Sequence, residues 1–155
     1  PKPGNIMMGA DAKCLQQHPK GFSNEDVVVG KDGGLANVFI YVKEGVKGSY
    51  TAPSESKVVF DQKGCWYHPH VFGIQVNQKL EIRNSDPTTH NVNAMAKKSP
   101  PFNSSMVPKM KPLERKFAKP EVMVKIKCNV HPWMTAYAGV VGHPFYAVTG
   151  KDGSF

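Results

Sequence analysis

Residues 121–134 read EVMVKIKCNVHPWM, and this stretch decides both the fold and the chemistry that we expect of the chain. In an extended conformation Val122, Val124 and Ile126 share one face with Cys128, while the lysines between them point away. Alternation with a period of two is typical of a β-strand that turns one face toward a core. The thiol of Cys128 should therefore point inward at the end of a strand, directly before a short segment that contains an imidazole and a thioether.

The rest of the sequence predicts a mainly β protein. Thirteen prolines and fourteen glycines among 155 residues argue against a helical bundle and favour short strands joined by turns. Further strand-like runs lie at residues 26–29, 35–42, 58–60, 71–76, 80–82, 90–94, 137–141 and 145–149. The first two flank a glycine-rich turn and predict a hairpin. Strands at this spacing are typical of an antiparallel sandwich or barrel.

Helical signals are few. Asp11 is a candidate N-cap for a short helix over residues 11–17, and residues 24–28 could hold one further helical turn. Four prolines between residues 95 and 112 predict a long irregular excursion between two strands.

Length, hydropathy and charge exclude several classes of protein. No run approaches the ~18 consecutive apolar residues that a membrane helix needs, so the chain is not expected to span a membrane. Residues 97–127 hold nine Lys or Arg and two Asp or Glu, and thus carry nearly all of the net charge of +8. This stretch predicts either a solvated basic face or a docking surface for an acidic partner or an anionic membrane. Nucleic-acid binding is disfavoured, because the stretch has too few aromatic rings for base stacking.

Three potential metal ligands, Cys128, His131 and Met134, occur within seven residues. His90, at the start of an alternating strand, would supply a second imidazole from the core side. Two histidines, one thiolate and a weak axial methionine form the ligand set of a blue-copper site. A structural zinc site instead uses four tight ligands, for which a thioether is poorly suited. We therefore predict one type 1 copper ion per chain, bound by these four residues.

The same residues resemble the cupredoxin family. Residues 72–92 are similar to the plastocyanin pattern around its first copper histidine, with alternating Phe, Ile and Val, then Leu, Ile and Asn, then His-Asn-Val. The spacing Cys128-x₂-His131-x₂-Met134, with Pro132 directly after the histidine, is similar to the compact ligand loop of amicyanin. The resemblance covers residues 71–141. It implies a Greek-key β-sandwich that transfers single electrons through a type 1 copper ion.

The resemblance also implies roles for three residues that neighbour the ligands, namely Asn91, Val130 and Pro132. It implies that Asn91 braces the two ligand loops and helps to donate a backbone N–H to the thiolate. Amicyanin has a proline where this chain has Val130, whose N–H can supply a second hydrogen bond to the Cys128 sulfur. It further implies that His131 shows its outer edge to solvent beside Trp133, and that electrons pass through this surface.

If Cys128 binds copper, Cys14 and Cys65 remain as an even pair. In an oxidising compartment such a pair predicts a disulfide, and the alternative is two buried free thiols. A bridge that closes a loop of ~50 residues would stabilise the fold by about 4 kcal/mol in the chain-entropy model.

Two other functions would use the same ligands. A periplasmic copper chaperone or storage protein would bind Cu(I) and exchange it. The copper domain of a larger redox enzyme would need a second metal, for which His68 and His70, together with His18 or His143, are the candidates. Enzymes that relay electrons to a second copper place a histidine directly beside the copper cysteine, whereas a lysine and an asparagine flank it here. We therefore expect a carrier and not an enzyme.

We divide the chain into an N-terminal extension (residues 1–24), a cupredoxin-like copper domain (25–141) and a C-terminal extension (142–155). An Asp-Gly pair after the last strand resembles half of a hairpin, so we expect a further β module to follow. No basic-then-apolar leader is present, and we expect an exported, periplasmic protein whose signal sequence is absent from this chain. The expected partner is an acidic redox protein, a cytochrome or an enzyme, attracted by the basic stretch.

Overall fold

Two β-sheets that face each other enclose the main core of the protein. The computed structural model describes residues 5–155 and holds thirteen strands and one short helix in that range. In chain order these are β1 (Asn5–Ile6), α1 (Ala12–Gln17), β2 (Phe22–Ser23), β3 (Phe39–Tyr41), β4 (Lys57–Gln62), β5 (Tyr67–His68), β6 (Val71–Gln75), β7 (Lys79–Asn84), β8 (His90–Ala94), β9 (Phe102–Met106), β10 (Leu113–Arg115), β11 (Glu121–Lys127), β12 (Thr135–Val141) and β13 (Tyr146–Val148).

The larger sheet has five strands in the order β6-β12-β11-β8-β9. Strand β11 pairs antiparallel with β8 and places Lys127 opposite Asn93. Strand β8 in turn pairs antiparallel with β9 and places His90 opposite Met106. This register brings the end of β11, the start of β8 and the end of β9 to the same edge of the sandwich, which we call the site end.

The second sheet has four strands in the order β10-β7-β4-β5. Its inward side chains meet those of the first sheet in one continuous core, in which Phe60, Ile82, Val92 and Ile126 are all fully buried. Burial of each such side chain stabilises the fold by roughly 1.5–3 kcal/mol. The alternation seen in the sequence therefore corresponds to the inner face of the sandwich.

A smaller apolar cluster attaches the N-terminal segment (residues 5–24) to the sandwich. In this cluster Met8 and Cys14 pack against Trp66. The predicted disulfide is present and joins Cys14 of α1 to Cys65, just before β5. Asp11 caps α1, since its side chain accepts hydrogen bonds from two backbone N–H groups of the first turn. The segment is thus part of the folded domain.

Strands β3 and β13 form a two-stranded sheet on the outer face of the larger sheet. The ring of Phe39 lies over Gly139, and the ring of Tyr146 lies over Gly73. A Cβ atom at either glycine would come within 2.3 Å or 2.1 Å, respectively, of the ring above it. Because glycine has no side chain, β3 and β13 can approach the larger sheet closely at these two positions.

The predicted mainly β sandwich is confirmed, with differences in the pairing. Strands β4 and β7 are parallel, as are β6 and β12, so the sheets are mixed and not purely antiparallel. The predicted irregular excursion over residues 95–112 contains β9, which pairs with all five residues of β8. The sequence of β9, FNSSM, is mostly polar because it lies at the edge of the sheet, and it therefore lacks a hydrophobic alternation.

The helix predicted over residues 11–17 is confirmed, but residues 24–28 are not helical. The predicted hairpin over residues 26–42 is reduced to one bridge, between Val29 and Leu35, followed by β3. Both bridge residues are exposed, so this apolar pattern meets no core that would extend the strands. Across residues 5–155, no helix combines the length and the hydropathy needed to cross a membrane.

Replacing Gly139 with alanine should destabilise the protein, because the new Cβ would overlap the ring of Phe39. Overpacking of this kind typically costs about 1–3 kcal/mol in the free energy of unfolding, which urea denaturation would measure. Gly142→Ala is the matched control, since nothing lies within 4 Å of its Cβ position. Equal stability of the two variants would contradict the close approach of β3 to this face.

Candidate metal centre

The four predicted ligands come from two places at the site end. His90 begins β8, while Cys128, His131 and Met134 belong to the loop between β11 and β12. This loop is closed tightly: the N–H of Cys128 donates to the carbonyl of Met134 at 3.0 Å, and the N–H of Met134 donates to the carbonyl of His131 at 3.0 Å. The loop backbone is therefore hydrogen-bonded to itself and holds its three side chains on one side.

Three of these side chains converge on one point. The Nδ1 atoms of His90 and His131 are 2.9 Å apart, and the Sγ atom of Cys128 lies 3.8 Å from Nδ1 of His131. One ligand atom from each of the three residues lies within 4.8 Å of the others. All three residues are buried, with exposed fractions of 0, 3 and 2 % for His90, Cys128 and His131. Met134 is fully buried in the adjacent core.

The outer nitrogen of each histidine faces a carboxylate. Nε2 of His90 lies 2.8 Å from Oδ2 of Asp86, and Nε2 of His131 lies 3.1 Å from Oδ2 of Asp11. A carboxylate at this position holds a proton on Nε2, which leaves Nδ1 as the nitrogen that can bind a metal. The donor set, two imidazole nitrogens aimed inward and one thiol, therefore fits a soft transition-metal ion such as copper.

The surroundings of the Cys128 thiol favour its ionised form. Burial alone would raise its pKa, but contact with the His90 imidazole and with the backbone N–H groups of His131, Val130 and Asn91 outweighs burial and lowers the pKa. The N–H of His131 donates to Sγ at 3.3 Å. Groups that stabilise a thiolate also favour the form of cysteine that binds metals.

The pKa values of the two histidines are shifted in opposite directions. Burial would lower the pKa of His90, but hydrogen bonding to Asp86 and Cys128 reverses this and raises it. Burial lowers the pKa of His131, and the neighbouring His90 lowers it further, so that Asp11 only partly compensates.

Residues beside the ligands connect the two ligand segments. The side-chain oxygen of Asn91 accepts a hydrogen bond from the N–H of Asn129 at 3.2 Å and thus joins the two ligand segments. The buried hydroxyl of Tyr67 donates to the carbonyl of Asn91. Val130 and Pro132 are exposed on the loop, and the N–H of Val130 contributes to the lowered pKa of the thiol.

The prediction that the outer edge of His131 faces solvent is wrong. Asp11 of the N-terminal segment covers the outer nitrogen, and Sγ of Cys14 lies 3.9 Å from the same atom. Trp133 packs against the imidazole at a ring-centroid distance of 5.1 Å and donates from Nε1 to the carbonyl of Cys65. Trp133 stays partly exposed, so it is the only member of the predicted pair that reaches the surface.

Each of the other described histidines contacts a different backbone carbonyl. His70 is buried and hydrogen-bonded through Nδ1 to the carbonyl of Thr135, and His68 contacts the carbonyl of Lys63. His18 and His143 contact carbonyls elsewhere. Among residues 5–155, the clusters that could hold a metal include none of these four histidines.

The basic stretch is divided between the two ends of the sandwich. Lys97 and Lys98 both donate their backbone N–H groups to the carboxylate of Glu121, at the start of β11. Seven residues of extended chain, about 20 Å, separate that position from Cys128. These two lysines therefore lie far from the candidate metal centre.

Lys109 and Lys111, by contrast, lie at the site end. They belong to the loop that follows β9, whose last residue, Met106, is paired with His90. Lys127, the residue before Cys128, lies at the same end. Within the basic stretch, the charge at the site end is thus carried by these three lysines.

Asp11 and Asp86 were not predicted as part of the site. Asp11 was identified only as a helix cap, and its contact with His131 spans 120 positions in the sequence. Asp86 precedes His90 by four residues in an Asn-Ser-Asp-Pro turn, and this spacing was the available signal. A carboxylate close to a candidate ligand is a general indication of histidine orientation.

Comparison with known proteins finds no matching family model and no matching curated protein. Solved structures that are similar include a copper nitrite reductase from Thermus scotoductus SA-01 (22% identity, TM-score 0.48), covering 65% of this chain but only 25% of that one. A reduced variant of amicyanin has 19% identity and a TM-score of 0.49, covering 57% of this chain and 85% of that one. A purple cupredoxin from Nitrosopumilus maritimus has 20% identity and a TM-score of 0.45, covering 56% and 99%. Cupredoxins, the family that the sequence resembles, are thus among the structures similar to this fold.

Asp11 should make the stability of the metal-free protein depend on pH in the acid range. Burial alone would raise its pKa, but hydrogen bonds from Thr88, His131 and the first turn of α1 lower it to about 2. Since the unfolded value is ~3.9, the stabilisation is complete above pH ~4 and is lost as the pH falls toward 2.

Asp11→Asn should therefore lower the free energy of unfolding at pH 6 by roughly 1–2 kcal/mol, allowing for solvent screening. Urea denaturation at several pH values should show this difference shrinking between pH 4 and 2. Asp32→Asn, on the exposed glycine-rich turn, is the control and should leave the pH profile unchanged. A constant difference at all pH values would mean that the Asp11 carboxylate is not held as described.

Proposed function

We propose that this chain is a mononuclear type 1 copper protein that carries single electrons between redox partners. The observation that supports the proposal is the convergence of His90 Nδ1, His131 Nδ1 and Cys128 Sγ in a buried site, with a carboxylate on the outer nitrogen of each histidine. Met134, fully buried beside them, would be the weak fourth ligand. When bound there, copper would supply a one-electron couple.

The chain's own residues would keep such a site rigid. The imidazole of His90 is fixed between Asp86 and His131, and the ligand loop is hydrogen-bonded to itself. The backbone N–H of His131 stabilises the thiolate of Cys128. A site whose ligands move little when its charge changes favours rapid electron transfer.

A copper chaperone or storage protein is the alternative, with the same four residues as ligands. Such a protein must release its metal to a partner, which requires access to at least one ligand. Here all three strong donors are almost completely buried, and the N-terminal segment covers His131. This cover favours a carrier of electrons over a carrier of ions, and we propose no catalytic role.

The proposed location is an oxidising, extracytoplasmic compartment, and the proposed partner is an acidic redox protein. The disulfide between Cys14 and Cys65 supports the location, because such bonds persist where thiols are not kept reduced. The position of Lys109, Lys111 and Lys127 at the site end supports an acidic partner. Complementary charge acts mainly on the association rate of a transient complex.

The ligand set can be tested with two variants of the copper-loaded protein. Cys128→Ser should abolish the intense visible absorption band, because that band requires a bond between copper and a thiolate. Met134→Leu should keep both copper and colour while raising the reduction potential, since only a weak donor is lost. Visible spectroscopy and voltammetry measure the two effects. An unchanged band in Cys128→Ser would show that the assigned site is wrong, whereas a wild-type protein that binds Cu(I) but shows no such band after oxidation would support the chaperone.

The charge distribution at the two ends of the sandwich supplies a matched test of the partner surface. Lys109→Glu with Lys111→Glu, at the site end, should slow electron transfer with an acidic cytochrome roughly tenfold or more at low salt. Lys97→Glu with Lys98→Glu makes the same change in charge at the far end and should have a much smaller effect. Stopped-flow kinetics across a range of ionic strength measure both rates. Equal slowing by both pairs would show that only net charge matters.

A further inference from the structure

The disulfide between Cys14 and Cys65 lies between the two histidine ligands. Near one end, Cys14 forms a cluster with Asp11 and His131, and Sγ of Cys14 is 3.9 Å from Nε2 of the histidine. Near the other end, Cys65 forms a cluster with Asp86 and His90. Each half of the disulfide is thus beside the carboxylate that holds one ligand.

The first carboxylate is positioned by the backbone around Cys14. Oδ1 of Asp11 accepts hydrogen bonds from the N–H of Lys13 at 2.8 Å and from the N–H of Cys14 at 3.2 Å. The other oxygen, Oδ2, accepts from the hydroxyl of Thr88 at 2.9 Å and faces His131. One oxygen therefore attaches Asp11 to α1, and the other is directed at the ligand.

The second carboxylate is positioned by the backbone around Cys65. Asp86 is only 4 % exposed, and Oδ2 accepts from the N–H of Cys65 at 2.7 Å while it contacts Nε2 of His90. Oδ1 accepts from the N–H of Gly64 at 2.7 Å. The orientation of His90 thus depends on the conformation of the loop that carries Cys65.

The disulfide is the covalent connection that keeps these groups together. Helix α1 has only six residues, and an isolated helix of that length is not stable in water. It is attached by the small cluster around Met8 and Trp66, by hydrogen bonds such as that from Lys13 to the carbonyl of Pro87, and by the crosslink, which is its one covalent attachment outside the main chain in the described residues. Without the crosslink, Asp11 would lose the covalent part of the support that holds it against His131, and only the weaker non-covalent contacts would remain.

We propose that the disulfide and its two flanking carboxylates form one positioning unit that orients both histidine ligands, so that metal affinity depends on the disulfide. Asp11 and Asp86 are the positioning residues, and the bond between Cys14 and Cys65 fixes the distance between them. The inference rests on the proposed metal site but adds a dependence of that site on a bond that does not touch the metal. By linkage, a metal that binds more tightly to the crosslinked protein also stabilises the crosslinked conformation.

The experiment measures the affinity of the full chain for Cu(I) by competition with a chromophoric chelator. Cys14→Ser with Cys65→Ser removes the bond without leaving new thiols, and it should weaken Cu(I) binding 10–100-fold. Asp11→Asn, with the disulfide intact, should weaken it within the same range. The two changes combined should weaken binding by much less than the product of the separate effects, because both act through one unit.

Gly139→Ala controls for a general loss of stability, since it strains the fold at a glycine that faces Phe39 and not the ligands. It should bind Cu(I) as tightly as the wild-type protein. If the disulfide variant also binds within twofold of the wild type, or if the two effects multiply, the positioning unit is disproved.

Nitrogen NMR of the metal-free protein supplies a readout that does not depend on copper. In the wild type, His131 should carry its proton on Nε2, facing Asp11. Both Asp11→Asn and the disulfide variant should reduce this preference, whereas Gly139→Ala should keep it. A wild type that fails to bind Cu(I) would overturn the proposed function while this measurement still tests the unit. An unchanged His131 signal in both variants would overturn the unit alone.

Discussion

The antiparallel pairing of β8 with β11 is the constraint on which the candidate site depends. Because Lys127 lies opposite Asn93, the start of one strand and the end of the other meet at the same edge. A shift of one residue would turn either His90 or Cys128 to the opposite face, where it could not meet the other. The buried alternating residues of both strands oppose such a shift, so the hydrophobic core also determines which donors converge.

The site itself illustrates how burial and polar contacts must be matched. Two imidazoles and a thiol within the interior would be unfavourable unless each polar atom had a partner. The carboxylates of Asp11 and Asp86 supply partners on the outer side, and backbone N–H groups supply them for the sulfur of Cys128. Only the inward donor atoms are left facing one another, and this arrangement of donors is what a metal ion would complete.

Much of this arrangement could be predicted from the sequence, because its strongest signals are local. The alternation of residues 121–128 and the short spacing from Cys128 to Met134 predict a strand and its ligand loop, and the structure contains both. The contact of Asp11 with His131 could not be predicted, since the two residues are 120 positions apart and no local pattern places α1 over the ligand loop. Strand β9 could not be predicted either, because an edge strand with mostly polar residues shows little hydrophobic alternation. What is missed is therefore the non-local part of the structure.

The covered edge of His131 changes how a partner can reach the site. A protein that docks over this ligand must contact the N-terminal segment, in which Asp11 faces the imidazole and Lys13 is held by the carbonyl of Pro87 at 2.6 Å. Trp133 lies against the same imidazole and is partly exposed, so it offers a short path from the ligand to the surface. Because electron transfer needs proximity and not exchange of the ligand, a site closed in this way can still pass charge. The same closure that shields the candidate ligands from solvent thus supports the proposed transport of electrons over the alternative, transport of metal.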